Sequence, residues 1–438
     1  MATKRQKKKA YNTTKKIAKK YPILIIVVLV ILIGLGVTAF VLYNNGYFDK
    51  WLNKSNNSQN DNSHAVEHED GITENIIYDN FQIHFLELGN DKAGDSVYIK
   101  AGNNDILIDA GSRRESAPTL KAYIDQYCTD GKLEYVIATH AHEDHIAGFC
   151  GIDSTKSGLF YKYQVGTLID FALTDVPSAL YNTSYVNALN YLEDHGTVHH
   201  KVDYYFDNNK NPKSEATIQL ADDISMDIIY NRFYFEKSSK ENNYSVCTMF
   251  NYGEKHYLFT GDLEKTGEQS IASYYDGSTP QKTLPKVELF KAGHHGSETS
   301  SNECLLEIIQ PKICVACCCA GNTEYTVASD NIFPTQDFIN RIAVYTSRVY
   351  ATTLFEQSTG NYTSMNGNII VSSNGTNVGL QASNNLIRLK DTEWFNEKVY
   401  LVDGKIAKGN KGSKDFYKST DSGVVEKPRR VWPTSSGS

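Results

Sequence analysis

The sequence predicts an α/β fold held behind a single N-terminal transmembrane helix, and three observations carry that expectation. Twenty uncharged residues, "ILIIVVLVILIGLGVTAFVL" from Ile23 to Leu42, follow a basic flank. Beyond Asn80, short apolar runs bounded by Gly, Asn and Asp alternate with stretches of helical period. One of those runs ends in "THAHEDH", whose last six residues hold three histidines and two acids.

Residues 1–21 form a basic segment. Nine of the chain's 44 Lys and Arg fall between Met1 and Tyr43, which hold no acid, so the remainder carries 35 bases against 51 acids, a formal −16. Such an acidic body opposes tight, unspecific nucleic-acid binding, which needs basic surface to neutralise phosphates. Residues 22–43 predict the transmembrane anchor: twenty apolar residues at about 1.5 Å rise span about 30 Å of hydrocarbon. The positive-inside bias keeps the basic flank cytoplasmic, so a single-pass cell-membrane protein with its main domain extracellular is expected. A cleaved signal peptide would carry an apolar region of about 7 to 15 residues ending in small residues, and "FVLYNNGYFDKW" offers no such site. Residues 44–77, rich in Asn, Ser and Asp, predict a flexible tether in which His64 and His68 are solvated.

A domain over 78–382 is expected next. "NFQIHFLELGN" and "DSVYIKAGNNDILIDAGSR" predict strands joined by tight hairpins and ending near Gly89, Lys100 and Asp109. "APTLKAYIDQYC" predicts a helix with Leu120, Tyr123 and Ile124 on one face, and "LEYVIAT" predicts the strand after it. Strands and helices thus alternate, which defines the α/β class.

The strand ending at Thr139 delivers residues 140–145 into the loop before a helix expected from near Ile146. Loops at the carboxyl edge of such a sheet converge on one crevice. In the spacing H-x-H-x-D-H, His140 and His142 project the same way and can share one metal, while Asp144 and His145 can reach a second. Imidazole and carboxylate suit Zn²⁺, and paired ions about 3.5 to 4 Å apart are a recurrent hydrolytic device.

"THAHEDH" resembles the metal-binding signature of the metallo-β-lactamase superfamily, over roughly 80–380. That resemblance implies an αββα sandwich. "ILIDAG" resembles the early strand ending in an aspartate, here Asp109, that supports the metal loop from beneath. "HYLFTGDLE" resembles the segment whose aspartate, here Asp262, bridges two metals. "VELFKAGHHGSETSS" resembles the segment supplying the last histidine, His294 or His295. The fit is closest to the hydrolase domain of the ComEC competence-protein group, through "FLELGN", Asn243 to Ser245 and His294 to Ser297 with Ser300; "AGDS" at Ala93 to Ser96 stands where that group has a glycine-aspartate. The sequence departs from the pattern at Phe333-Pro334, where the group has "HP", and no residue clearly matches the superfamily's middle histidine, for which His195, His199 and His200 lie in the right interval. Alignment with the more distantly similar phosphorylcholine esterases of the cell wall favours His295 as ligand and leaves His294 as a support behind the ligands or as general acid.

The resemblance therefore implies His140, His142, Asp144, His145, Asp262 and His295 as ligands of one or two Zn²⁺ ions, with Mn²⁺ as an alternative. Asp144, Asp262 and His294 are the implied catalytic residues, and Ser297 is a turn or substrate contact. The expected activity is phosphoester cleavage by a metal-activated hydroxide, on DNA or on a teichoic-acid-like wall polymer. Lactone or β-lactam hydrolysis, and a non-catalytic tethered binding module of the same fold, are the competing expectations.

Cys314, Cys317, Cys318 and Cys319 in "PKICVACCCAGN" admit a soft-metal site, but "KICVACCCA" equally predicts a buried strand, the reading favoured here. Cys128 and Cys150 form a conceivable disulfide outside the membrane. Residues 383–438 predict an extension with a hairpin at "KVYLVDGKIAKG" and a mobile tail.

Overall fold

The structure, a computed structural model, describes residues 66–67, 71–356, 359–403, 405–406 and 423–434. The basic segment 1–21, the expected anchor 22–43 and most of the tether lie outside the described residues. Among the described residues, no helix is long and apolar enough to cross a membrane.

Two large sheets account for the domain. The first begins with β1 (Val66–Glu67), β2 (Ile72–Glu74), β3 (Phe81–Phe85), β4 (Val97–Ala101), β5 (Asn104–Ile108), β6 (Lys132–Ile137), β7 (Gln164–Asp170) and β8 (Val198–Lys201). The second holds β9 (Thr217–Ala221), β10 (Ile224–Ile229), β11 (Cys247–Tyr252), β12 (Lys255–Phe259), β13 (Leu289–Lys291), β14 (Ile313–Ala320), β15 (Val349–Glu356) and β16 (Asn361–Ser364). The chain then returns through β17 (Ile369–Ser373) and β18 (Val378–Ala382) to complete the first sheet, in the order β1-β2-β18-β17-β3-β4-β5-β6-β7-β8. Both sheets follow one plan: antiparallel hairpins, then a parallel run, β5 to β8 in one and β12 to β15 in the other.

Alternation along β3 shows how the layers stack. Successive side chains of a strand face opposite sides. Phe81 and Phe85 meet the second sheet, with ring centroids 5.0 Å from Tyr257 and 6.2 Å from Phe259. His84 faces the other way, where its Nδ1 lies 2.9 Å from the hydroxyl of Tyr123 on α1 (Ser116–Ile124). The first sheet is thus sandwiched between the second sheet and a helix, as the αββα expectation requires. β14, central in the second sheet, has all eight residues buried, so Cys314, Cys317, Cys318 and Cys319 are core residues. Burial pushes the Cys318 thiol up to about 12, which keeps it neutral. Cys128 and Cys150 are both buried free thiols, so the conceivable disulfide between them is absent.

Three boundaries differ from expectation. β2 lies inside the expected tether of 44–77 yet pairs parallel with β18, because Ile72 is fully buried in the core. The helix expected from Ile146 begins earlier, as α2 (Glu143–Cys150), so Asp144 and His145 sit in its first turn. The C-terminal extension is docked in part: after β19 (Lys398–Val402) and β20 (Lys405–Ile406) form the expected hairpin, β21 (Val424–Pro428) pairs with β19. Arg430, buried, then donates from Nε to the Pro334 carbonyl at 2.8 Å. The expected mobile tail is therefore held, over 423–430, by a ladder and a buried guanidinium.

The second sheet's helices include α4 (Lys265–Tyr274), reached after α3 (Val186–Asp194). From it Glu268, fully buried, accepts from the Ser301 and Asn302 amides at 2.6 and 2.9 Å and from Asn302 Nδ2 at 2.7 Å. It thereby anchors the chain just beyond "HHGS". Burial pushes its carboxyl up to about 7 against these donors. Between about pH 4.5 and 7 the folded chain then holds a proton that the unfolded chain has released, so this group's contribution to stability falls as pH rises. The wild type should lose on the order of 3 kcal/mol relative to Glu268→Gln across that window, and thermal melts of the two proteins from pH 4 to 8 would show it; a gap independent of pH would refute the assignment.

Candidate metal centre

Four strand ends build the centre. Asp109 follows β5, residues 138–142 follow β6, Asp262 follows β12, and residues 293–296 follow β13. The carboxyl edges of the two parallel runs are where an open α/β sheet leaves a crevice. Backbone bonds lock the loops together: the Ala110 amide donates to the His145 carbonyl at 2.7 Å, Gly148 to the Ala110 carbonyl at 2.6 Å, and Asp95 to the Asp144 carbonyl at 3.0 Å. The contact is so close at Gly111 that a Cβ there would lie 1.5 Å from the Asp144 carbonyl oxygen. Only glycine fits that position.

Asp144, His145, Asp262 and His295 converge, each buried, with one ligating atom apiece all within 4.8 Å of one another. His145 Nε2 lies 3.1 Å and His295 Nε2 3.3 Å from Asp262 Oδ2, and His295 Nε2 lies 3.4 Å from Asp144 Oδ2. The other ring nitrogens are engaged behind the cluster. His145 Nδ1 donates to Asp109 Oδ2 at 2.7 Å, and His295 Nδ1 donates to the Cys317 carbonyl at 3.0 Å, with Asp95 Oδ1 3.1 Å away. Protonation at Nδ1 leaves each Nε2 with its lone pair aimed inward, the tautomer of a metal-bound histidine whose second nitrogen is held by an acceptor.

The fit to a cation can be tested on buried atoms without partners. His145 Nε2, His295 Nε2 and both carboxylate oxygens of Asp262 are buried and lack an aligned hydrogen bond. Orphaned buried polar atoms are costly and rare, and two imidazoles with two carboxylates form a donor set that a divalent cation satisfies. The electrostatics agree. Burial alone would lower the two histidines, yet Asp262 with Asp109 raises His145, and Asp262 with Asp95 raises His295, well above the ordinary range. A site that draws protons onto buried imidazoles has a strongly negative potential. The residues present therefore fit a divalent metal.

His140 and His142 stand beside this set, with His140 Nε2 3.0 Å from His142 Nδ1 and the His140 ring 4.1 Å from that of His145. Among the described residues, no middle-segment histidine joins them. His199 Nε2 is held by Asp170 and its Nδ1 by Glu193, both at 2.9 Å; His200 stacks on Tyr204, and His195 on Tyr191. None of the three middle-histidine candidates reaches the cluster. His294 and His295 both take the left-handed backbone, at φ 48° and 56°, between Gly293 and Gly296. That turn sends His295 into the cluster and leaves His294 at its edge, with Nε2 3.8 Å from Asp262 Oδ2 and Nδ1 2.8 Å from Thr299 Oγ1. Burial pushes the His294 ring down to about 4. Ser297 accepts from the Thr299 amide at 3.3 Å, in keeping with a turn residue.

Several residues were missed. Asp95, the aspartate of "AGDS", is buried against Lys291, His145 and His295. Lys291 is itself buried, donates to the Gly261 carbonyl at 3.1 Å and lies 3.5 Å from Asp262 Oδ1. "GDS" hinted at Asp95; nothing local marked Lys291. Tyr325, 54% exposed, donates to Asp144 Oδ2 at 2.7 Å from the mouth of the site. Asp109, by contrast, supports the loop as expected, accepting from the Thr139 amide at 2.8 Å and hydroxyl at 2.7 Å.

Asp109→Ala removes the acceptor that holds His145 in its inward-facing tautomer. Affinity for Zn²⁺, titrated against a competing chelator, should fall by about 10- to 100-fold while circular dichroism stays near wild type.

The family model described as "Anti-Pycsar protein Apyc1" matches residues 90–316, just over half of the chain. Recombination protein 2 of Haemophilus influenzae is 33% identical over 75 residues, 17% of this chain and 8% of that protein. ComE operon protein 3 of Bacillus subtilis is 32% identical over 77 residues, 18% of this chain and 9% of that protein. The chain thus spans under a tenth of the length of these curated relatives, which agree with the resemblance to the competence-protein group. Among solved structures, the metallo-β-lactamase fold protein YhfI of Bacillus subtilis aligns with a TM-score of 0.36 at 10% identity, over 62% of this chain and 96% of that one. The matched span of the family model runs from before Asp95 to beyond His295, and on that match the chain belongs to the Anti-Pycsar protein Apyc1 family.

Proposed function

We propose that this protein is a membrane-tethered, extracellular, metal-dependent hydrolase of phosphoesters. The observation that carries the reading is the set Asp144, His145, Asp262 and His295, buried together, with both histidine Nε2 atoms and the Asp262 carboxylate oxygens lacking a hydrogen bond. Zn²⁺ suits two imidazole nitrogens and two carboxylates, with Mn²⁺ as the alternative. When bound, such an ion supplies Lewis acidity, activating water at neutral pH and drawing charge from a phosphoryl oxygen.

The chain's own groups do the rest. Burial opposes ionisation of Asp144 and Asp262, yet the facing histidines, and for Asp262 also Lys291, hold both carboxyls well below their ordinary range. Both are therefore anionic and can orient a water between them. Lys291, paired with Asp95, holds Asp262 from behind. Tyr325, protonated and reachable from solvent, can turn its one O–H from Asp144 to an incoming oxygen. With His140 and His142 lacking a third histidine, the four-residue set takes the tighter ion and the histidine pair an exchangeable one.

Full-length protein purified without added metal should retain about one ion per chain by mass spectrometry and hydrolyse bis(p-nitrophenyl) phosphate, but not a chromogenic β-lactam. Asp262→Ala or Asp144→Ala should abolish turnover with the fold retained; activity surviving either change would defeat the assignment. Tyr325→Phe should lower kcat about tenfold or more while leaving metal content unchanged.

A further inference from the structure

Asp109, Asp95 and the Cys317 carbonyl fix the four-residue set from behind, but the histidine pair beside it is supported unevenly. His140 is fully buried, and two hydroxyls face its Nδ1: Thr139 Oγ1 at 3.2 Å and Ser245 Oγ at 3.5 Å. Both hydroxyls give their protons elsewhere, Thr139 to Asp109 Oδ2 and Ser245 to the Asn242 carbonyl, each at 2.7 Å, so toward His140 they accept. That keeps the His140 proton at Nδ1 and turns the Nε2 lone pair toward His142. His142 has no such backing. It is half-buried, and among the described residues its one polar side-chain contact is with His140 Nε2, 3.0 Å from its Nδ1. The direction of its ring therefore depends on the main chain that carries it.

One carboxylate grips that main chain. Ala141, fully buried between the two histidines, donates its amide to Glu241 Oε1 at 3.2 Å, and Glu241 Oε2 accepts from the Asp175 amide at 3.0 Å. Glu241 thus joins the loop after β6 to the loop after β7, and a charged acceptor makes the stronger kind of hydrogen bond. It opens a short 3-10 turn, Glu241–Tyr244, whose far side is pinned as well. The Val246 amide donates to the Thr139 carbonyl at 2.9 Å, and Ser245 Oγ accepts from the Asp262 amide at 3.2 Å. Residues 241–246 therefore splint residues 139–141 at both ends and tie them to Asp262.

We propose that Glu241 is the positioning residue of the histidine pair: by holding the Ala141 amide against the loop after β7, it aims His142 at the point that His140 Nε2 faces. The proposal rests on the reading that this pair takes an exchangeable ion. Removing the Glu241 carboxylate should loosen that ion alone, because the four-residue set draws its support from Asp109, Asp95 and Cys317 instead.

The test uses the full-length chain as purified, with its tight ion counted by mass spectrometry, and titrates it with Co²⁺, whose visible absorption follows the added ion. Glu241→Ala should keep the tight ion as the wild type does and need about tenfold more Co²⁺ for the second, the size of loss expected when a residue supporting a metal ligand is removed. Glu241→Gln keeps one acceptor for Ala141 but turns an –NH2 toward the Asp175 amide, so its affinity should fall between the two. Unchanged Co²⁺ affinity in Glu241→Ala overturns the proposal. So does loss of the tight ion together with the second, which would make Glu241 a general support of the fold. If Glu241→Ala does not fold, Glu241→Gln decides: weaker Co²⁺ binding with the tight ion retained supports the proposal, and unchanged binding overturns it. A wild type that takes up no added Co²⁺ also overturns it, and leaves the hydrolase reading standing if bis(p-nitrophenyl) phosphate is turned over. Two bound ions without that turnover would count against the hydrolase reading alone.

Discussion

Everything at the centre depends on how Asp109 and the Cys317 carbonyl dictate the tautomers of His145 and His295. An imidazole that ligates a cation keeps one proton to place. By accepting it at Nδ1, these groups turn both Nε2 lone pairs toward Asp262. Without that constraint the same four side chains would collapse into ordinary hydrogen bonds. With it, they stay a cluster of unsatisfied donors to a cation, at a cost that the surrounding fold must offset.

The fold offsets it through close backbone contact and counter-charge. Gly111 and Gly148 allow the chain after β5 to lie directly against the first turn of α2, so the Asp144 and His145 backbones are held by main-chain bonds rather than by their own side chains. Lys291, on the opposite sheet, and Asp95, just before β4, form a buried pair beneath Asp262. Glu268 ties down the turn that follows His295. Buried pairs of this kind contribute little net stability, and their value lies in fixing geometry.

Function divides along the same lines. The centre supplies chemistry common to many substrates, whereas selectivity belongs to what surrounds it. Tyr325 at the mouth is contributed by a loop, where binding specificity concentrates on a rigid scaffold.

The sequence by itself determined what local spacing can determine. Apolar runs marked β3 to β6, and H-x-H-x-D-H named His140, His142, Asp144 and His145 because a strand end and the first helical turn bring neighbours in sequence together. "ILIDAG" and "TGDLE" pointed to Asp109 and Asp262 only through the resemblance to the metallo-β-lactamase superfamily. The tertiary structure decided whatever depends on chain path between distant segments. Asp95 meets His295 across 200 positions, Lys291 enters only through the stacking of the second sheet on the first, and His199 is lost to Asp170. Even the choice between His294 and His295, adjacent in the chain, rests on two left-handed residues whose turn sends one ring inward and the other to the edge. Composition reports that a lysine or histidine exists; only packing against elements remote in sequence settles which charge it faces.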